Sequence, residues 1–168
     1  ESWMQKPERT SLALHQTLGM LYLNELEFDS YEQHQLKGLG RYPNNPEIYQ
    51  ELATFYQGIQ RPLEAHKLLL RLLSKQPENE SLILQVVSLE QKMGLNKQAK
   101  QRILDTLESS VPTEKIWQFW IELQLAQDAS KDVSADLIEM LGQFPESEWA
   151  GVKLAEIFLH DEKYAAAE

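Results

Sequence analysis

Residues 45–69 read NPEIYQELATFYQGIQRPLEAHKLL and contain two prolines, Pro46 and Pro62, in an otherwise helix-forming segment. Proline is tolerated in the first turn of a helix, where its missing N–H costs no hydrogen bond, but it disrupts a helix interior. Apolar residues follow each proline at intervals of three and four, which is the spacing of one helical face. The prolines therefore predict the starts of two successive helices. Gly58 is expected to end the first of them in a left-handed conformation.

The proline spacing returns along the chain. Pro43 and Pro77 are 34 residues apart, and Pro145 lies twice that distance beyond Pro77. Pro112 falls one residue after the position of the intervening member. A constant period of this length is typical of a solenoid of stacked repeats. Candidate helix-capping residues recur with the same period, at Asn45, Asn79, Thr113 and Ser147.

One period shows a full pattern of aromatic, leucine, small residue and tyrosine, then alanine, leucines and proline. Its members are Tyr49, Leu52, Ala53, Tyr56, Ala65, Leu69, Leu72 and Pro77. The pattern closely resembles the tetratricopeptide repeat (TPR), whose unit is a pair of helices. Gly19 and Tyr22 match it one period earlier. In the third and fourth periods, Glu90 and Gln124 replace the second aromatic residue.

The resemblance implies an all-α, TPR-like α-solenoid, a right-handed superhelix of antiparallel helix pairs with about four full repeats and a partial one. The predicted segments are 1–11 (tail of a preceding helix, or a linker), 12–45, 46–79, 80–113 and 114–147 (repeats 1 to 4, the last two degenerate) and 148–168 (partial repeat 5). The last segment is expected to stop within a second helix, as in a piece cut from a longer array. Leu18 and Leu21 fit core positions, as do Trp117 and Trp120.

Composition argues against several classes of function. Acidic residues outnumber basic ones by 26 to 16, for a formal charge of −10, which disfavours binding to nucleic acid or to anionic lipid. No apolar run reaches the length that crosses a bilayer, so no membrane insertion by this segment is expected. The chain has no cysteine, which excludes disulfides and thiol nucleophiles but leaves the cellular compartment open.

The sequence shows no recognisable catalytic or metal-binding motif. The four histidines are far apart, and none forms a helical pair of metal ligands. The KGLG stretch at 37–40 follows no predicted strand, so it is interpreted as a helix end rather than a phosphate-binding loop. We therefore expect no enzymatic activity, no metal and no cofactor.

In proteins that this chain resembles, the first helix of each pair lines a concave face that binds partner peptides. Carrying over the matching positions gives the candidate partner-binding residues Gln16, Met20, Leu23, Asn24, Gln50, Thr54, Gln57, Leu84, Ser88, Gln91, Lys92, Gln118, Glu122, Leu125, Trp149 and Glu156. Some family members bind C-terminal carboxylates through a clamp of Lys, Arg and Asn. The matching places here are Gln16, Met20, Gln50 and Ser81, so that clamp is missing. A neutral to mildly basic segment, extended or helical, is the expected partner.

These observations lead to one functional hypothesis with two alternatives. The leading hypothesis is a non-catalytic scaffold that binds a protein or peptide partner in its concave groove, within a larger assembly or a secretion or biogenesis protein. The alternatives are an architectural spacer and a helper domain of an enzyme whose catalytic residues lie outside this chain. Apolar residues near the end, such as Leu154, Ile157 and Phe158, also predict end-to-end self-association.

Overall fold

The computed structural model describes residues 6–109, 112–127 and 133–165, with side chains described for 12–108, 112–126 and 133–159. The chain divides between Pro77 and Glu78 into two compact units. Unit 1 contains α1 (Lys6–Asn24), α2 (Phe28–Arg41), α3 (Pro46–Gly58) and α4 (Pro62–Leu73). Unit 2 contains α5 (Glu80–Lys92), α6 (Asn96–Ser109), α7 (Glu114–Gln127), α8 (Ser134–Gln143) and α9 (Glu148–Ala165). The described residues include no strand, so the all-α prediction is confirmed.

The turns inside the first three helix pairs repeat with the predicted period. Leu26, Gln60 and Gly94 adopt left-handed backbone conformations, with φ of 60°, 58° and 74°, and they are spaced 34 residues apart. In each turn the residue that follows donates its N–H to a carbonyl five residues back, as Arg61 does to Tyr56 at 2.7 Å. This bond closes a Schellman-type helix end. The prediction for Gly58 was wrong: α3 ends there, but the left-handed residue is Gln60.

We expect Gln60→Gly to raise the free energy of unfolding by about 0.5–1 kcal/mol, because glycine adopts positive φ without steric cost. Gly94→Ala is the matched opposite change. A Cβ at Gly94 would meet no atom within 4 Å. The free energy of unfolding should therefore fall by about 1 kcal/mol in Gly94→Ala, and the cause would be the backbone conformation alone. Urea unfolding monitored by circular dichroism measures both variants. Destabilisation by Gln60→Gly would contradict the assignment of this turn.

Three of the predicted helix caps are confirmed. The side chains of Asn45 and Asn79 accept hydrogen bonds from the N–H groups of Ile48 and Leu82, at 3.2 and 3.1 Å. The Ser147 hydroxyl accepts from the Ala150 N–H at 3.3 Å. Each bond satisfies a backbone donor that the first turn of a helix leaves unpaired. The recurring caps therefore set where the first helices begin.

The core of unit 1 is centred on the α3–α4 pair. Tyr49 and Ala53 of α3 are buried, as are Ala65 and Leu69 of α4. The two alanines allow the helices to approach closely, which is the purpose of small residues at a helix crossing. The predicted register of this repeat is confirmed.

The first helix is longer than the sequence pattern indicated. α1 begins at Lys6 and continues without interruption to Asn24, so residues 6–11 are its first turns rather than a preceding helix or linker. Pro7 is compatible with this start, because a proline in the first turn breaks no helical hydrogen bond. The part of the predicted tail at 1–5 lies outside the described residues.

The last helix also differs from expectation. α9 is one continuous helix from Glu148 to Ala165, whereas the sequence pattern predicted a first helix followed by the start of a second. Residues 159–165 contain no glycine or proline that would end it.

Leu18 and Leu21 of α1 are not core residues. They are 40% and 52% exposed, although Leu52 and Phe55, one period later on α3, are buried. The core prediction for these leucines was wrong, because periodicity gives a position within a repeat but not whether another helix covers it. The matching prediction for Trp117 and Trp120 was correct, since both are buried in unit 2.

The two polar residues at the aromatic position of the degenerate repeats are buried and paired. Arg102 donates three hydrogen bonds to the Glu90 carboxylate, at 2.7, 3.2 and 3.3 Å. Gln124 donates from Nε2 to Asp136 Oδ2 at 2.7 Å. In both cases the partner lies twelve residues further along, on the second helix of the pair. Polar pairing thus takes the place of aromatic packing in unit 2.

Candidate functional site

The first helices of unit 1, α1 and α3, share one exposed surface. The Gln16 side chain donates from Nε2 to Glu47 Oε2 at 2.7 Å and so links the two helices. Met20 is exposed one turn beyond Gln16, and Gln50 and Gln57 are exposed on α3. We call this area the first-helix surface of unit 1, and it consists of Gln16, Met20, Leu23, Asn24, Gln50, Thr54 and Gln57.

The first-helix surface of unit 1 offers hydrogen-bonding groups and no cation. Between Leu12 and Asn24, α1 has no lysine, arginine, aspartate or glutamate. The charged side chains of α3 are Glu47 and Glu51, both acidic. Amide side chains can donate to and accept from a peptide backbone. The formal charges near this surface therefore come from the two carboxylates of α3.

A polar layer lies beneath this surface, between α1 and α2. Gln35 is 1% exposed and donates from Nε2 to the Tyr31 hydroxyl and to Glu51 Oε2, both at 3.0 Å. Its Oε1 lies 3.0 Å from His15 Nε2, which we assign as the donor because Oε1 can only accept. The His34 ring stacks on His15 with centroids 3.9 Å apart, and its Nε2 donates to the His15 carbonyl at 2.8 Å.

This polar layer was not predicted from the sequence, although a signal was available. The residues equivalent to Gln35 in the next three periods are the buried apolar residues Leu69, Ile103 and Leu137. A lone amide at a core position predicts a buried hydrogen-bond network, because an unpaired buried amide is costly. Gly38 of α2 belongs to the same arrangement, since a Cβ there would collide with the His15 ring.

In unit 2 one candidate residue, Gln118, is hydrogen-bonded to a carboxylate at the start of α7. Glu114 Oε1 accepts from Gln118 Nε2 at 3.1 Å and from the Ser147 hydroxyl at 2.7 Å. Ser147 is also the cap of α9, so this carboxylate links the beginnings of two first helices of unit 2. On α9, Glu156 accepts a hydrogen bond from Lys153 at 2.8 Å.

Half of the predicted partner-binding residues are exposed in the structure. The exposed ones are Met20, Asn24, Gln50, Thr54, Gln57, Lys92, Glu122 and Glu156. The half-buried ones are Gln16, Leu23, Ser88, Gln91, Gln118, Leu125 and Trp149. Leu84 is buried, with 8% of its surface exposed, and we leave it out of the proposed surface.

No protein-family model matches the sequence, and a search of curated proteins finds no match. Solved structures do share its fold. A tetratricopeptide repeat protein from Parabacteroides merdae superposes with a TM-score of 0.59 at 17% identity, over 98% of this chain and 65% of that one. The chain has the tetratricopeptide-repeat fold.

Two further TPR structures carry information on ligands of their own. YrrB, a TPR protein with an unusual peptide-binding site, superposes with a TM-score of 0.54 at 14% identity, over 89% of this chain and 73% of that one. The first TPR of Spaghetti (RPAP3), bound to the HSP90 peptide SRMEEVD, gives a TM-score of 0.50 at 14% identity, over 68% of this chain and 94% of that one. At these identities the likeness concerns the fold.

Two kinds of feature are not found in the part of the chain that the structure describes. Its helices are all too short or too polar to span a lipid bilayer. Its described histidines, aspartates and glutamates form no group of three that could hold a metal ion.

The polar layer around His15 should make the folded chain less stable at acidic pH. Burial lowers the pKa of His15 below its usual 6.5, the hydrogen bond with Gln35 opposes this, and the nearby His34 lowers the pKa further. The charge of Glu51 raises the pKa of His15, and the charge of Arg41 lowers it. The unfolded chain therefore binds a proton at His15 more readily than the folded chain does. The contribution of His15 to folding stability is present above pH 6.5 and is lost as the pH falls below that value.

Urea unfolding across this pH range measures the effect. His15→Phe keeps a ring against Gly38 but cannot titrate, so we expect its stability to depend less on pH than that of the parent chain. His66→Phe on α4 removes a histidine outside the polar layer and is the matched control. An identical pH profile for His15→Phe and the parent would exclude His15 as the source.

Proposed function

We propose that this chain is a non-catalytic interaction scaffold that binds a protein partner through the exposed faces of its first helices. The observation that carries the proposal is the first-helix surface of unit 1. Gln16 and Glu47 join α1 to α3 there, and exposed amides flank the exposed Met20. Amide side chains can donate hydrogen bonds to a peptide backbone and accept them from it, and a neighbouring large apolar side chain can contact an apolar side chain of the peptide.

The chemistry of this surface favours an uncharged or mildly basic segment. Glu47 would attract a cation, and no lysine or arginine lies between Leu12 and Asn24 or on α3 to attract an anion. The Spaghetti TPR is bound to a peptide with three carboxylate side chains, SRMEEVD. We infer that this chain does not bind a ligand of that acidic kind on unit 1.

A displayed library of random peptides tests the proposal. Peptides retained by the parent chain should be enriched in apolar and basic residues and depleted of acidic ones. The combined variant Gln50→Ala, Thr54→Ala, Gln57→Ala should weaken their binding by about tenfold or more, since each lost hydrogen bond is worth on the order of 1 kcal/mol. A control with Lys37→Ala and Lys67→Ala, both exposed on second helices, should bind as the parent does. Equal binding by the first variant would refute the surface, and failure to retain any peptide would favour the spacer alternative.

Two other parts of the hypothesis remain predictions. A helper role in a larger enzyme depends on residues outside this chain. End-to-end self-association requires exposed apolar residues near the end, where Phe158 is exposed while Leu154 and Ile157 are half-buried. Elution as a monomer at high protein concentration would contradict it.

A further inference from the structure

The outer face of α1 carries an apolar stripe that has no covering helix within the described residues. Leu14, Leu18 and Leu21 are 60%, 40% and 52% exposed. Their spacing of four and three residues places them on one side of the helix. At 100° per residue, this side lies opposite Gln16 and Met20, so the stripe is separate from the first-helix surface of unit 1.

The repeat period shows what covers this stripe elsewhere. One period later, the same positions are Ile48, Leu52 and Phe55 of α3, which are 0%, 0% and 9% exposed. α2 packs against α3, and the ring centroids of Tyr31 and Phe28 lie 4.7 and 5.9 Å from that of Phe55. In unit 2 the same positions on α7 are Ile116, Trp120 and Leu123, all buried. In both units these positions are buried, on a first helix that packs against the helix before it.

One residue distinguishes the α1 stripe from its counterparts. The next position along it is Glu25, where the following two periods have the apolar residues Ile59 and Met93. The contacts of Phe28 and Tyr31 show that the first turns of the covering helix lie beside the end of the covered one. A helix on α1 would therefore place its N-terminal end near Glu25. A basic residue there, together with the positive end of the helix dipole, complements this carboxylate.

We propose that the α1 stripe, Leu14, Leu18 and Leu21 with Glu25 at its end, docks one amphipathic helix of a partner protein that has a basic first turn and an aromatic residue facing Leu21. A second copy of this chain is a poorer occupant. Its described second helices α2, α4, α6 and α8 are each packed against first helices of their own unit.

The test uses the 168-residue chain and a labelled probe peptide. The probe is the α2 sequence, residues 28–41, with Asp29→Lys to make the first turn basic, and with a side-chain lactam to hold the helix, because a free helix of this length is marginal in water. Fluorescence anisotropy should show saturable binding. A second peptide with Phe28→Ala and Tyr31→Ala should bind at least about tenfold more weakly.

Variants of the chain locate the binding. Leu18→Arg should weaken probe binding by about tenfold or more, and Glu25→Ala by about two- to fivefold. Leu63→Arg alters a leucine on α4 that is more exposed than Leu18, and it should have no effect. The triple alanine variant of the first-helix surface should also bind the probe normally, so failure of the proposed function would leave this result intact.

Three outcomes would overturn the proposal. In the first, the probe does not bind. In the second, the probe binds the Leu18→Arg variant and the parent chain equally well. In the third, light scattering shows that the parent chain is a dimer and that the Leu18→Arg variant is a monomer. The last result would identify a second copy of the chain as the occupant.

Discussion

Replacing Arg102 with methionine should lower the free energy of unfolding by about 3–5 kcal/mol. The Glu90 side chain is 0% exposed, and Arg102 supplies three hydrogen bonds to its carboxylate. Removing the cation takes away the guanidinium that neutralises a buried carboxylate, which costs far more than the loss of a surface ion pair. Urea unfolding of the parent and the variant measures the difference.

The control takes its residues from another repeat of the same chain. One period earlier, the positions of Glu90 and Arg102 are occupied by Tyr56 and Leu68. The double variant Glu90→Tyr, Arg102→Leu should recover most of the lost stability, because apolar residues can replace a buried ion pair at little net cost. If Arg102→Met alone were as mild as Lys97→Ala, an exposed change on the same helix, the ion pair would have no structural role.

Leu52→Ala should cost about 2–5 kcal/mol, whereas Leu18→Ala should cost less than about 1 kcal/mol. The two leucines occupy the same position in successive repeats, but Leu52 is 0% exposed and Leu18 is 40% exposed. Truncating Leu52 leaves a cavity in addition to losing buried apolar area. Truncating Leu18 removes a side chain that is already in contact with water.

Thermal and urea unfolding of both variants provide the comparison. Because the substitution is chemically identical, the difference between the two costs isolates the effect of the covering helix. Similar large losses at both positions would show that α1 is covered in solution, and similar small losses would show that the register along the repeat is wrong.

Local patterns in the sequence predicted much of this fold. The caps at Asn45, Asn79 and Ser147 and the buried pair Ala53 and Ala65 were all predicted from residue type and period. Such features depend on contacts within one helix or one helix pair, so a short stretch of chain contains the information. The polar layer around Gln35 was also present in the sequence, as an exception to an apolar column.

Other predictions failed because residue type alone does not fix a backbone conformation or an exposure. Gly58 suits a left-handed turn, but the hydrogen bond from Arg61 to Tyr56 assigns that conformation to Gln60. The placement of the candidate partner-binding residues shows the same limit. Leu84 was predicted on the same grounds as Gln50, yet it is buried.

The sequence by itself determined that this protein contains helix pairs with a period of 34 residues, and it identified the capping residues of α3, α5 and α9 and the buried residues of the α3–α4 pair. Only the tertiary structure decided which equivalent positions are covered and which face water. The physical reason is that capping and pairing are local hydrogen bonds and side-chain contacts, whereas burial depends on the presence of a neighbouring helix. Leu18 and Leu52 obey the same pattern, and the presence of α2 beside α3 makes only one of them a core residue.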